Sequence, residues 1–370
     1  MGEAIAYLDY NATTPLRSSA LEAMTASTRL VGNPSSSHAA GRAARHALED
    51  ARAQVAAAVG CVVSEVIFTS GGTEANNLAV LGLGQSVLYA ATEHDAVRAP
   101  ARMRGGDVIA VDGDGLLDLD ILQDHLKKAP RPALVAVMLA NNETGVIAPL
   151  AKIADLTHRH GGLVHCDAIQ ALGKIPFNFR ELGVDSLSLS AHKAGGPKGV
   201  GALILKDGLE IAPLIRGGGQ ERRRRAGTEN LPGIVGFAAA LEARGDWDAI
   251  RAMRDRMEAD IAARMPTARI FGQAAPRLPN TTCVSLPGIA SETQVMALDL
   301  AGVCISAGAA CSSGKVALSH VLDAMGVAPE LAASAIRISL GWETTARDID
   351  RFLAAWDTLA ERALAAGAAA

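Results

Sequence analysis

The chain has 370 residues, 49% hydrophobic and 20% charged, which is a globular composition with enough length for a sizeable core and two domains. A formal net charge of −4 provides no global field for nucleic acid or an anionic membrane, and no apolar run is long enough to span a bilayer. The five cysteines are an odd count with no Cys-x-x-Cys pair, which argues against a disulfide frame or a thiol-rich zinc site and for a reducing, cytoplasmic setting; the N-terminus lacks the pattern of a secretory signal.

In chain order, Ala6 to Tyr10 reads as a strand-like lead and Asn11 to Pro15 as a turn. The polar loop Gly32 to His38 feeds an amphipathic helix with Ala44, Leu48, Ala51, Val55 and Val59 on one face, ended by Gly60. Val66 to Thr69 is a strand, followed by Ser70-Gly71-Gly72-Thr73-Glu74 and a helix from Ala75 to about Leu81. A strand, a glycine turn and a helix N-terminus form the geometry that binds phosphate. Strands at Val87–Ala90, Val108–Val111 and Ala133–Leu139, with a helix at Leu119–Lys128, lead to Asn141-Asn142-Glu143-Thr144-Gly145. A helix from Leu150 to His160 precedes the strand Leu163–Cys166, which ends in Asp167-Ala168-Ile169-Gln170. Ser186 to Leu189 alternates as a strand into Ser190-Ala191-His192-Lys193, and Gly201–Leu205 follows. Strands that alternate with helices build a mostly parallel sheet, whose ligands sit beyond the carboxyl ends of the strands. Thr73, His94, Asn142, Asp167, Gln170, His192 and Lys193 all fall at or just past such ends.

Beyond the basic loop Gly217–Thr228, a long helical region spans about Leu231 to Arg264, interrupted around Gly245. The remainder reads as an α+β unit: strands at Ala268–Phe271, Thr281–Leu286, Val303–Ser306 and Ile336–Leu340, and helices at Glu292–Ala301, Val316–Met325 and Ala346–Leu364, with Ala365–Ala370 as a frayed tail.

The chemistry-bearing side chains leave alternatives open. A lysine at the end of a buried strand, Lys193, suits an amine held as a Schiff base with pyridoxal phosphate better than a buried ammonium. Asp167 pairs with a pyridine nitrogen or caps a turn; Gln170 reaches a ring hydroxyl; His94 lies on a ring face or simply starts a helix. Arg337 holds a substrate carboxylate or a structural salt bridge. Cys166, Cys283 and Cys304 read as buried thiols, whereas Cys311 lies in a run of small and polar residues that suits an accessible nucleophile.

Taken together, Tyr7–Pro15, Gly32–His38, Thr69–Glu74, Thr92–His94, Asn141–Gly145, His165–Gln170, Ser190–Lys193, Arg225–Thr228 and the Cys311 loop resemble the class V, fold-type-I pyridoxal-phosphate enzymes, and within them the cysteine desulfurases of the NifS/IscS-like group. The resemblance implies an α/β fold with a large, mostly parallel seven-stranded sheet domain over residues 15–245, and a smaller α+β domain from residues 1–14 and 246–370 that carries the cysteine loop. It implies that Lys193 carries pyridoxal 5'-phosphate, that Gly72, Thr73, Ser190 and His192 hold its phosphate, and that Asp167, Gln170, His94 and Asn142 surround its ring. It further implies that Asn33, Asn142 and Arg337 orient L-cysteine, and that Lys193 and His94 move protons. Thr228 is expected to reach the other subunit's phosphate in a homodimer. Cys311 is expected to take sulfur as a persulfide, releasing alanine, and to pass it to an acceptor or scaffold protein for iron–sulfur assembly. No resident metal is expected; Cys311 is a candidate transient cluster ligand.

Two departures stand out: a C-terminal tail shorter than that of housekeeping members, and Gly308-Ala309-Ala310-Cys311 in place of Gly-Ser-Ala-Cys. The competing readings are a selenocysteine lyase or aminotransferase of the same class, a scaffold without chemistry, and nucleic-acid binding by Arg222–Arg225; neither a nucleic-acid nor a membrane partner is expected.

Overall fold

The computed structural model describes residues 5–243, 245–308 and 318–368. Cys311 lies outside the described residues. Strand β1 (Ala6–Tyr7) belongs to the C-terminal half of the molecule and pairs in parallel with a later strand. The chain then builds a seven-stranded sheet from β2 (Val66–Thr69), β3 (Ser86–Ala90), β4 (Asp107–Ile109), β5 (Ala133–Met138), β6 (Leu163–Asp167), β7 (Ser186–Ser190) and β8 (Gly201–Leu205). Their order is β2-β8-β7-β6-β5-β3-β4. β8 runs antiparallel to both neighbours and the other pairs are parallel.

Alternation along the strands sorts side chains between two cores. Val66, Phe68, Val135, Val137, Val164, Cys166, Leu187, Leu189, Ala202 and Ile204 face the helix Ala39–Val59 and its neighbours. Ile67, Leu134, Leu203 and Leu205 face the helix Gly72–Gly82. The expected stripe Ala44, Leu48, Ala51, Val55 and Val59 is fully buried, and Gly60 ends that helix at φ 72°. The helix Ser18–Ser27 has no counterpart in the sequence expectations, and the helix Asp95–Met103 has one only in the helix-start alternative for His94. The first is a run of small polar and apolar residues with only Ala20 and Ser27 buried, and the second contains Pro100.

After the helices Leu231–Glu242 and Trp247–Arg264, the chain forms a second, antiparallel sheet. Its strands are β9 (Arg269–Ile270), β10 (Thr281–Ser285), β12 (Ser306–Ala307) and β13 (Ala335–Ser339), in the order β12-β13-β10-β9. β11 (Val303–Cys304) pairs with β1 instead. The expected single strand Val303–Ser306 is therefore two short strands in different sheets, because the chain changes partners at Ile305. The C-terminal helix runs from Ala346 to Ala368, past the frayed tail expected from Ala365, as alanine's high helix propensity favours. A separate core of Leu8, Met257, Ile261, Ile336, Ile338, Phe352 and Trp356 packs this half. Cys304, expected to be buried, is partly exposed. No helix among the described residues is long and apolar enough to cross a membrane.

The basic loop is pinned by a buried ion pair. Arg52 donates to both carboxylate oxygens of Glu221 at 2.7 and 2.8 Å, and Phe68 N donates to the same carboxylate at 2.9 Å. This anchor holds Glu221, Arg222 and Arg223 at φ 44°, 56° and 66°, a left-handed run that L-residues disfavour. Arg225 ties the same loop to Glu74 at 2.9 Å. Glu221→Ala would leave the Arg52 guanidinium only the partly exposed Glu49 carboxylate and the Val66 carbonyl, and is expected to cost about 3 kcal/mol in urea unfolding. The Arg52→Ala/Glu221→Ala double variant should lose less than the sum of the two single changes, because no charge is then left buried alone.

Candidate active site

The carboxyl ends of β2, β5, β6 and β7 open into a cavity of about 600 Å³ that also receives residues from the second sheet. Gly72, Thr73, His94, Asn142, Asp167, Gln170, Ser190, His192, Lys193 and Arg337 all line it, so the structure brings ten of the sequence-predicted residues together. Two others stay apart from it in one copy of the chain. Asn33 is exposed, with its Oδ1 accepting from Ser35 N at 2.8 Å within its own turn. Thr228 is exposed on the loop beyond Arg225.

Each part of the cavity is set by local structure. Period-two geometry puts His165 and Asp167 of β6 on the same face as Ser186 and Ser188 of β7, beneath Asn76 of the helix Gly72–Gly82. A chain of hydrogen bonds follows. His165 Nδ1 lies 2.9 Å from Ser186 Oγ, and its Nε2 lies 3.0 Å from Asn76 Oδ1. Asn76 Nδ2 donates to Asp167 Oδ2 at 2.6 Å. Burial pushes the His165 pKa down to about 3, so the ring is neutral; the network assigns its proton to Nε2, facing the Asn76 oxygen. Ile169 N donates to Asp167 Oδ1 at 3.0 Å. Burial raises the Asp167 pKa, and no cationic side chain lies within ion-pair distance of it among the described residues. A buried, oriented carboxylate of this kind suits a cationic N–H on a ligand.

Beside it, the N-terminus of the helix Gly72–Gly82 forms a cradle lined by Gly72, Thr73, Ser190, His192 and Lys198. Ile169 packs so closely over Gly72 that a Cβ there would meet Ile169 Cδ1 at 2.0 Å. Free N–H groups, a hydroxyl and a lysine fit a phosphate-like anion. Lys198 drew no role from the sequence, because it lies past the turn that follows Lys193.

Lys193 Nζ donates to the carbonyl oxygens of Asn11 and of Ala12, the latter at 2.7 Å. Burial pushes its pKa down to about 8, with Arg337 adding to the shift and Asp9 and Asp167 opposing it. An amine of lowered proton affinity is a competent nucleophile for a ligand carbonyl carbon. Anion cradle, ring-facing carboxylate and amine thus form one donor set for a phosphorylated heteroaromatic aldehyde.

His94 caps the helix Asp95–Met103, its Nδ1 accepting from Ala96 N at 3.0 Å, and it also faces the cavity. The structure thus shows the helix-start alternative for this residue. For Arg337 it shows the salt-bridge alternative: Nη2 donates to Asp9 Oδ1 at 2.8 Å and Nη1 donates to Asn142 O at 3.1 Å. Its Nε is buried without a partner among the described residues, a donor that a ligand carboxylate would satisfy.

Sequence reasoning missed Asn11, Asn76, Lys174 and Glu143. The first three are polar residues in apolar or turn settings, whose significance depends on contacts far along the chain. Glu143 lines the cavity and accepts from Ser319 Oγ at 2.6 Å; burial pushes its pKa up from 4.5 to about 7.

Residues 6–352 match the family described as aminotransferase class-V. A cysteine desulfurase of Cereibacter sphaeroides is 50% identical over 363 residues, covering 94% of this chain and 93% of the relative. The solved structure of a NifS-like protein from Rickettsia africae superposes with a TM-score of 0.88 at 35% identity, covering 96% of this chain and 99% of that one. A structure described as SspA in complex with cysteine gives a TM-score of 0.79 at 30% identity, over 92% and 99% of the two chains.

The raised Glu143 pKa has a direct stability consequence. Between pH 4.5 and 7 the folded protein holds this proton more tightly than the unfolded chain, so the contribution is present at low pH and is lost as pH rises through 7. Glu143→Gln is expected to remove a decline of up to about 3 kcal/mol across that window, read as the wild-type-minus-variant difference in urea unfolding free energy.

Proposed function

The chain belongs to the class-V aminotransferase family and is a cysteine desulfurase, and from that premise we propose how its own residues carry out the removal of sulfur from L-cysteine. The observation that supports this reading most is the convergence of the Lys193 amine, the Asp167 carboxylate and the Gly72–Thr73 cradle on one cavity. That donor set matches pyridoxal 5'-phosphate group by group: Lys193 would hold the aldehyde carbon, Asp167 the ring N–H, Gln170 and Asn142 the ring edge, and Gly72, Thr73, Ser190 and His192 the phosphate. Bound there, the cofactor supplies an electron sink that stabilises negative charge on substrate carbons.

Arg337 and Asn142 bind the substrate carboxylate. The unpartnered Nε of Arg337 supports that role, and the bond to Asp9 fixes the orientation of the guanidinium. Lys193, with a proton affinity near neutrality, takes and returns protons at the substrate carbons, and His94, which lines the same cavity, also handles protons. Cys311 supplies the thiolate. Its sulfur bonds to the substrate sulfur as the carbon–sulfur bond breaks, the electron pair stays on carbon, and protonation there gives alanine. The persulfide left on Cys311 then passes to an acceptor protein; iron–sulfur cluster assembly is the pathway we propose, with Cys311 as a transient cluster ligand.

Residues 15–245 form the cofactor domain in this reading, and residues 1–14 with 246–370 form the smaller one. The separate core around Trp356 supports that division. Thr228, exposed and outside the cavity of its own chain, completes the site of a second copy in a cytoplasmic homodimer.

Purified protein supplied with pyridoxal phosphate, L-cysteine and a thiol reductant is expected to release sulfide and alanine in equal amounts. Lys193→Ala should lose both the visible absorbance and turnover. Cys311→Ala should keep the absorbance and lose sulfide release; wild-type rates in Cys311→Ala would remove that residue from the mechanism.

A further inference from the structure

Behind the cavity lining, bonded to Asn11 and Gln170, lies a second lysine for which the proposed reaction has no use. Lys174 is 3% exposed, and its Nζ lies 2.7 Å from Asn11 Oδ1 and 2.7 Å from Gln170 Oε1. Both partners are uncharged amide oxygens. No carboxylate lies within ion-pair distance of it among the described residues, and the charged groups that face it, Lys193 and Arg337, are cationic. Burial, reinforced by those two cations, lowers its pKa well below the usual 10.5. The bonding count agrees. An ammonium carries three N–H donors and an amine two, and two acceptors are present. Both N–H donors of the uncharged amine therefore have acceptors, whereas the ammonium would leave one buried donor and one buried charge without partners.

Those two bonds fix the amides they touch. With its Oε1 on Lys174, Gln170 turns Nε2 toward Asn11 O at 2.9 Å. With its Oδ1 on Lys174 and on Asn280 Nδ2 at 3.2 Å, Asn11 turns Nδ2 toward Thr281 Oγ1 at 2.9 Å and Asn142 O at 3.1 Å. The Asn11 carbonyl in turn accepts from Lys193 Nζ. We propose that Lys174 is a positioning residue for the desulfurase reaction: its buried amine locks the amide groups of Asn11 and Gln170, and through the Asn11 carbonyl it sets where the Lys193 nitrogen stands. The proposal rests on the reading of Lys193 as the residue that holds the cofactor.

The test measures Lys193 directly in cofactor-free protein. Its ε-amine is acylated in brief pulses across a pH series, and the modified peptide is quantified by mass spectrometry. The wild type is expected to show a midpoint near 8. Lys174→Met keeps the apolar stem and removes both hydrogen bonds. The loosened Asn11 turn then admits water, and the Lys193 midpoint should rise by about one pH unit toward the ordinary lysine value. Lys174→Gln keeps an amide donor in the same place and should fall between the two. With cofactor and L-cysteine, Lys174→Met should lose about tenfold or more in kcat with KM within about twofold of wild type, because the amine is misplaced while Arg337 keeps its Asp9 partner. An unchanged Lys193 midpoint in folded Lys174→Met protein overturns the proposal, and so does a lowered thermal midpoint with unchanged kcat, which is a purely structural role. If Lys174→Met does not fold, Lys174→Gln carries the same comparison, and a wild-type midpoint there overturns it equally. Failure of wild-type protein to gain a visible absorbance band with pyridoxal phosphate counts against the cofactor reading instead, and leaves the cofactor-free comparison intact.

Discussion

The site hangs from the backbone carbonyl of Asn11, which accepts the Lys193 amine and the Gln170 amide at the same time. Asn11 follows β1, a strand paired with the C-terminal half of the chain, yet its side chain and carbonyl lie among residues at the carboxyl ends of the large sheet. Its backbone N–H donates to Ser339 Oγ of β13 at 2.9 Å and its Nδ2 to Thr281 Oγ1 of β10, also at 2.9 Å. One turn therefore joins the antiparallel sheet to the amine of Lys193. Moving either sheet relative to the other would move the acceptor of Lys193.

Burial of ionisable groups is the second theme of the cavity. Lys193, Lys174, Asp167, Glu143 and His165 are all drawn toward their uncharged forms chiefly by desolvation. Such an arrangement would cost stability if the groups were left unpaired. Each is instead met by neutral donors or acceptors: backbone carbonyls, amides and hydroxyls. The large sheet makes this economical, since β7 alternates Leu187 and Leu189 into one core with Ser186, Ser188 and Ser190 into the polar face above β6. A lysine poised near neutrality and a carboxylate held without a cation of its own both follow from that layout.

Much of this was legible in the sequence. Alternating strands and helices declare a mostly parallel sheet, and the placement of Thr73, Asp167, Ser190 and Lys193 at strand ends locates the cavity. Periodicity alone could not show that β8 runs antiparallel to its neighbours, because a buried strand has the same hydrophobic pattern in either direction. The extent of the helix Asp95–Met103 beyond its start at His94 was hidden by Pro100, and the split between β11 and β12 reflects a change of pairing partner that a continuous apolar run conceals. Asn11 and Lys174 were illegible for a different reason: they act on each other across 163 positions of sequence, and neither has a local pattern that marks it.

The central claim is that, of the two lysines bonded to Asn11, the half-buried Lys193 carries the cofactor and the buried Lys174 supports it from behind. Adding pyridoxal phosphate to the protein, fixing it with borohydride and mapping the modified peptide tests this most directly. The account predicts the phosphopyridoxyl group on Lys193. A label on Lys174, or one spread over exposed lysines such as Lys198, would contradict it.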